Sequence, residues 1–183
     1  ALKNMKGLIP NSEKRRFHAM GLHKPIAHLA TGIHQDFIVV DNICGDWDFE
    51  DGGNPVVMNR IMAAADPVLC DAYVAHLMGY ELEEIPYIQM AADLGAGLED
   101  WELAEFHELN LPKEKAILPK ERKIVELQDA VEEVESCSAC YGYLIPALQK
   151  LKEEGLLKEL KEKICIGQGF RGETGELGIG QCT

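Results

Sequence analysis

Four cysteines in the last third of the chain carry the clearest chemistry in this sequence. Cys137-Ser138-Ala139-Cys140 sets two thiols three positions apart, and Gly178-Ile179-Gly180-Gln181-Cys182-Thr183 adds another in a Gly-flanked segment. Between them stands Cys165, flanked by Ile164 and Ile166. A C-x-x-C pair can turn both thiolates onto one ion, and a turn-rich segment can bring a distant cysteine to the same point. The chemistry is that of soft ligands: tetrahedral zinc, cluster iron, or a reversible disulfide between Cys137 and Cys140. The intervals to Cys165 and Cys182 are too long for a tight second knuckle. The bland reading is that Cys165 is an apolar strand residue and that Cys137 and Cys140 extend an apolar helical stripe, since cysteine often serves as core.

Three other constellations compete. Gly167-Gln168-Gly169-Phe170-Arg171-Gly172 matches G-x-G-x-x-G after a short strand pattern. A dinucleotide fold needs a helix, a further strand and an acidic residue after it. Only Glu173 to Thr183 follow, so no βαβ unit forms and no dinucleotide site is expected. The glycines are read instead as letting backbone wrap closely around something, such as the cysteine site. Asp41, Asp46, Asp48, Glu50 and Asp51 crowd one segment, with Trp47 and Phe49 among them. Carboxylates there could hold Mg²⁺ or Ca²⁺, although the spacing is not that of an EF-hand and acidic loops are usually just solvated. His18, His23 and His28 recur every five residues and share no helical face, whereas Lys14 and His18, four apart, do. That pair suits a small anion.

Composition limits the partners. The 183 residues carry a formal net charge of −13 and 46% hydrophobic side chains. So acidic a chain is a poor match for phosphate backbones or anionic membranes, so neither nucleic acid nor a membrane is an expected partner. No apolar run reaches membrane-spanning length and no signal peptide is visible. Six cysteines in a chain of this length do not make a secreted disulfide scaffold, so a reduced, cytoplasmic setting is expected.

The elements that would position these residues alternate between helix and strand. Ser12 to Met20 reads as a helix stopped by Gly21, and Pro25 opens another running to about Ile33. Phe37 to Val40 is a continuous apolar run, read as a buried strand ending at Asp41. The loop Asn42 to Asn54 follows. Val56 to Ala65 fits strand or helix. Asp66-Pro67 is a strong helix start, and Gly79 the stop. Glu83 to Leu94 reads as helix and Trp101 to His107 as a half-buried strand. Ile124, Leu127, Val131 and Val134 step 3-4-3, predicting an amphipathic helix. Leu144 to Leu151 continues helical, ending at Gly155, and Ile164 to Ile166 is a short strand.

In order, the motifs Lys3-Asn4-Met5-Lys6-Gly7, Lys14 with His18, Val40-Asp41, Gly45, Gly52-Gly53-Asn54-Pro55, Ala65-Asp66-Pro67-Val68, Asp71-Ala72 and Met78-Gly79 resemble the domain of unknown function DUF362. The Cys137–Cys140 and Ile179–Cys182 segments are similar to that family's C-terminal part. The resemblance implies an α/β half before Lys3, absent here, and a possible further cysteine after Cys182. It also implies iron–sulfur character, since members are often joined to ferredoxin-type modules, but it brings no assigned activity.

These readings predict an α/β fold with a small mixed or mostly parallel sheet flanked by helices and a Gly/Cys-rich C-terminal segment. Residues 1–120 would form a fragmentary α/β core, with 121–183 packed on it. The expected site holds an iron–sulfur cluster or zinc on Cys137, Cys140 and Cys182, with Cys165 in reserve, and serves a redox role. The alternatives are a small-anion or Mg²⁺-dependent enzyme domain at Asp41 to Asn54 (Asp41, Asp46, Asp48, Lys14, His18), a Cys137/Cys140 thiol–disulfide pair, and an interaction module without chemistry. Asp41 is expected at the C-terminal end of a central strand. The apolar strand 37–40 needs neighbours on both sides, so a homodimer, a redox partner or the missing N-terminal half is the expected partner.

Overall fold

The computed structural model describes residues 1–46, 55–110, 125–136, 138–173 and 177–180. The fold is mixed α/β, with a two-stranded antiparallel sheet and a three-stranded parallel sheet flanked by helices. It divides into two compact units, Ala1–Ile43 with Met58–Lys115, and Cys44–Val57 with Ala116–Thr183.

In the first unit a 3₁₀ turn over Lys3–Leu8 leads into α1 (Asn11–Ala19) and α2 (His23–Gly32). Gly21, at φ 81°, supplies the left-handed residue that separates the two helices. After the hairpin strands come α3 (Pro67–Leu77) and α4 (Pro86–Asp93), each with proline in its first turn, where no N–H bond is lost. Their core is Leu2, Ile26, Val68 and Ile88 set among Ala27, Ala30, Ala72, Ala75 and Ala91. The alanines let the helices approach closely.

Asp66 holds this unit at two points. One carboxylate oxygen accepts from Val68 N at 2.8 Å and Leu69 N at 3.0 Å, capping α3, and the other accepts from Leu98 N at 2.9 Å. Gly97 lies so close that an added Cβ would overlap this carboxylate. Asp66→Ala is expected to cost about 1–2 kcal/mol for the lost cap, plus the freed 98 strap. A lower urea midpoint at unchanged m-value checks this, with Asp66→Asn keeping most of the stability.

The hairpin strands are β1 (Ile38–Asp46) and β2 (Pro55–Ala64). Val56 to Ala65, ambiguous in sequence, is therefore strand up to Ala64. Alternation, not uniform burial, governs both strands: Ile38, Val56 and Met58 are buried, while Phe37 is 70% exposed and Val39 62%. The apolar run 37–40 is thus not a strand buried on both faces. A period-2 ribbon turns half of such a run outward whatever its composition. Among the described residues no third strand joins this sheet. Asp41 accordingly sits in the middle of a hairpin strand, not at the C-terminal end of a central one.

The second unit contains α5 (Val125–Gln128), β3 (Val131–Glu133), α6 (Ser138–Glu153), β4 (Ile164–Ile166) and β5 (Gly178–Ile179). The predicted helix through Leu127, Val131 and Val134 is instead a four-residue helix followed by a strand. Val131 pairs with Ile164 and Glu133 with Ile166, and Cys165 and Ile166 pair in turn with Gly178 and Ile179, all parallel. Leu127, Val131, Leu144, Ile145, Leu148, Ile164 and Ile166 form the core between sheet and helices. The half-buried strand predicted for 101–107 is a 3₁₀ turn, Trp101–Leu103, followed by irregular chain.

Candidate functional site

The parallel sheet of the second unit organises the cysteine-bearing segments. In a parallel sheet all strands leave by the same edge, and open α/β folds bind ligands beyond that edge. β3 exits through Val134, Glu135 and Ser136 toward position 137; β4 exits into Gly167; β5 exits into Gly180 toward positions 181–183. Cys137 and Cys182 themselves lie outside the described residues.

Backbone packing at this edge is tight. Val134 N donates to Ile166 O at 3.0 Å, Gly169 N to Val134 O at 3.1 Å, and Gln168 N to Glu135 O at 3.3 Å. Gly167 has φ 118°, and a Cβ added there would overlap the Val134 carbonyl oxygen. A Cβ at Gly169 would overlap the Val134 side chain. Gly167 and Gly169 therefore seat the β4 exit against the β3 exit, the residues just before Cys137, whereas Gly172 has open space around it. The segment forms a 3₁₀ turn, Gln168–Phe170, and among the described residues no α-helix follows it.

The two described candidate ligands differ in setting. Cys140, in the first turn of α6, packs on the core cluster from the helix side. Ile164 and Ile166 face that same cluster, so Cys165 between them points to the opposite face of the sheet. Among the described residues no group of three His, Cys, Asp or Glu side chains converges as a metal site. Cys70, on α3, is a core thiol: burial pushes its pKa up, Asp71 and Asp66 add to this, and the nearby amino terminus partly opposes it.

A second constellation, of opposite charge, lies in the first unit. Lys6 Nζ stands 3.3 Å from His18 Nε2, joining the 3₁₀ turn Lys3–Leu8 to α1. Burial holds the His18 pKa below its ordinary 6.5, and the positive charges of Lys6 and then Lys3 lower it further. Lys14 precedes His18 by one turn of α1, on the same face. Lys3 and Lys6 were not singled out as site residues by spacing alone, although three positions apart in a helical turn is the signal that would have found them. Of the carboxylates predicted to accompany this cluster, Asp41 does not join it. Asp41 is exposed, accepts from Ile43 N at 3.0 Å within its own strand, and makes no ion pair with Lys14 or His18. Asp46 ends β1, and Asp48 lies outside the described residues.

The His18 arrangement sets a pH dependence. The fold favours the neutral ring, so the contribution of His18 to stability is fully present above about pH 6.5 and is lost as pH falls through its depressed value. An NMR titration of the ring is expected to give a midpoint below 6.5, moving upward in Lys6→Ala and upward again when inorganic phosphate binds. A midpoint at the ordinary value, unmoved by either change, would remove the basic cluster from the account.

The motif order in the N-terminal part has a counterpart among known families. Residues 1–76 match the family model of DUF362, Domain of unknown function (DUF362). The resemblance to DUF362 is shown for this N-terminal segment, which holds Lys3 to Gly7, Lys14, His18, Val40-Asp41 and Ala65 to Ala72. Motif order predicts that the likeness runs on through the C-terminal cysteine segments; the match ends at residue 76, before them. Comparison with curated proteins and with solved structures gives no match. Among the described residues no helix is long and apolar enough to cross a membrane.

Proposed function

We propose that this chain carries a cysteine-ligated metal or iron–sulfur site, held by Cys137, Cys140 and Cys182, with a redox role in a cytoplasmic setting. The observation that supports this most is the parallel order β3-β4-β5, since the segments running toward Cys137 and Cys182 leave one edge of one sheet. The tight glycine seating of Gly167 and Gly169 on Val134 favours a fixed rather than a mobile edge there. Cys165 faces away from the Cys140 side of the sheet, which favours the three-cysteine set over one that includes Cys165.

The donor set is chemically suited to its ligand. Thiolates are the ligands of iron–sulfur clusters and structural zinc, and a three-thiolate set leaves one position for a further donor. An iron–sulfur cluster bound there supplies one-electron transfer, whereas zinc supplies structural closure. The protein's part is to hold Cys140 against a packed core and to keep the strand exits in register. Metal analysis of anaerobically purified protein tests the proposal, and a Cys137/Cys140 disulfide exchange pair is the outcome if the thiols bind no metal and are lost together on mild oxidation. A separate redox partner, and self-association through the outward apolar residues of the hairpin, belong to the same proposal.

A second reading rests on the Lys6–His18 contact: a small anion bound between the turn Lys3–Leu8 and α1 in the DUF362 segment. Two lysines beside a partly buried imidazole, in a chain of net charge −13, are an unusual concentration of positive charge. The phosphate titration of His18 described above tests it.

A further inference from the structure

The first unit contains a cavity of about 330 Å³ at the C-terminal end of α3, outside the basic cluster. Its walls come from the last turns of α3, the turn after it and the Trp101–Leu103 segment. Gly79, at φ 76°, reverses the chain after α3, bringing Tyr80 and the Leu82–Glu84 turn back over the helix end. Trp101 packs onto this end from the other side.

Trp101 is held in place by aromatic neighbours. The His76 ring stacks on it with centroids 4.1 Å apart and planes 29° apart, and Tyr73 meets it at 5.7 Å. Tyr73 is itself packed against Phe106 at 4.8 Å. The indole is therefore pre-positioned rather than free to collapse, and with Tyr80 it gives the cavity an aromatic wall.

Ala72, His76 and Leu82 line the cavity as well, and the carboxylates among the lining are three. Glu81, Glu83 and Glu102 line the cavity, and no Lys or Arg does so among the described residues. Glu81 is engaged in a reciprocal cap with Glu84, its backbone N–H donating to the Glu84 carboxylate at 2.8 Å. The Glu102 backbone N–H donates to the Asp100 carboxylate at 3.1 Å, but the side chains of Glu83 and Glu102 make no hydrogen bond or ion pair among the described residues. Surface carboxylates beside a fixed aromatic face, in a cavity of small-molecule size, suit one ligand class. A cation can lie against the ring quadrupole while the carboxylates offset its charge.

We propose that this cavity binds a small organic cation, an alkylammonium group seated against Trp101 between Glu83 and Glu102. The cavity differs from the cysteine site in unit, residues and chemistry, so its test is independent of that reading. The same carboxylates disfavour an anion there, and an uncharged apolar ligand would gain nothing from them.

The chain has two tryptophans, so the Trp47→Phe variant leaves Trp101 as the single indole reporter. Its indole N–H is followed by NMR in the otherwise full chain while butylammonium or tetramethylammonium chloride is added, with KCl at matched ionic strength as the control. The expected result is a saturable shift with the organic cations and none with KCl. Glu83→Gln with Glu102→Gln should weaken binding by about tenfold, and Trp101→Leu by a similar factor, each read from the ligand's own line broadening. Trp101 also packs on the core, so the glutamine pair is the decisive variant should Trp101→Leu fail to fold. Equal response to KCl, or binding unchanged in the glutamine pair, would show only the general attraction of an acidic protein for cations and would overturn the proposal.

Discussion

Gly167→Ala is expected to destabilise the second unit more than any other single methyl addition in the described chain. The residue sits at φ 118°, a region that side chains rarely enter, and its Cβ would overlap the Val134 carbonyl oxygen and crowd Ser136 N at 2.7 Å. Relief would require the β4 exit to lift off the β3 exit, and with it the 3.0 Å bond from Val134 N to Ile166 O. Strain of about 1–3 kcal/mol for the backbone adds to about 1–3 kcal/mol for overpacking, giving a loss of roughly 2–6 kcal/mol. Urea unfolding followed by circular dichroism measures it. Gly155→Ala is the comparison: its φ of 75° is also left-handed but nothing crowds its Cβ position, so it should lose only the conformational part, about 1 kcal/mol. Equal losses at the two glycines would mean that the contact with Val134 is not what fixes this edge.

Leu148→Ala should be the most costly truncation on α6. Leu148 is 0% exposed and belongs to the cluster that joins α6 to Val131, Ile164 and Ile166. A buried Leu→Ala change costs about 2–5 kcal/mol, through lost transfer free energy and the cavity left behind. Tyr143, on the same helix but 80% exposed, is the internal control, and Tyr143→Ala should stay within about 0.5 kcal/mol of the parent. If the cysteine edge depends on this packing, Leu148→Ala should also make Cys140 react faster with a thiol reagent. Unchanged stability would contradict the assignment of α6 as the helix that covers the parallel sheet.

How much of this was legible in the sequence depended on the range of the interaction involved. Asp66-Pro67 and Gly79 gave the ends of α3 correctly because a cap, a proline and a left-handed glycine act within a few residues. Ile164 to Ile166 was legible as strand from its β-branched residues. β3 was not. Leu127, Val131 and Val134 fall at helical intervals by coincidence, and what makes Val131 to Glu133 a strand is pairing with Ile164 to Ile166, far along the chain, which no local period records. The same limit hid the extent of β1. Its apolar run was visible, but whether one face or both would be covered depends on which strands join the sheet. Of the candidate site, the C-x-x-C spacing and the glycines were plain, whereas the approach of Lys6 to His18 arises only when the 3₁₀ turn folds back on α1.

The measurement that bears most directly on the cysteine site is the metal and acid-labile sulfide content of the full chain purified without oxygen, with its visible spectrum, beside the Cys140→Ala and Cys182→Ala variants. The account predicts stoichiometric iron with sulfide and charge-transfer absorption, or stoichiometric zinc, in the parent, and loss of the metal in both variants. Cys165→Ala, altering the opposite face of the sheet, should retain it. A parent chain free of metal after anaerobic purification and reconstitution, or metal retained in both Cys140→Ala and Cys182→Ala, would contradict the account.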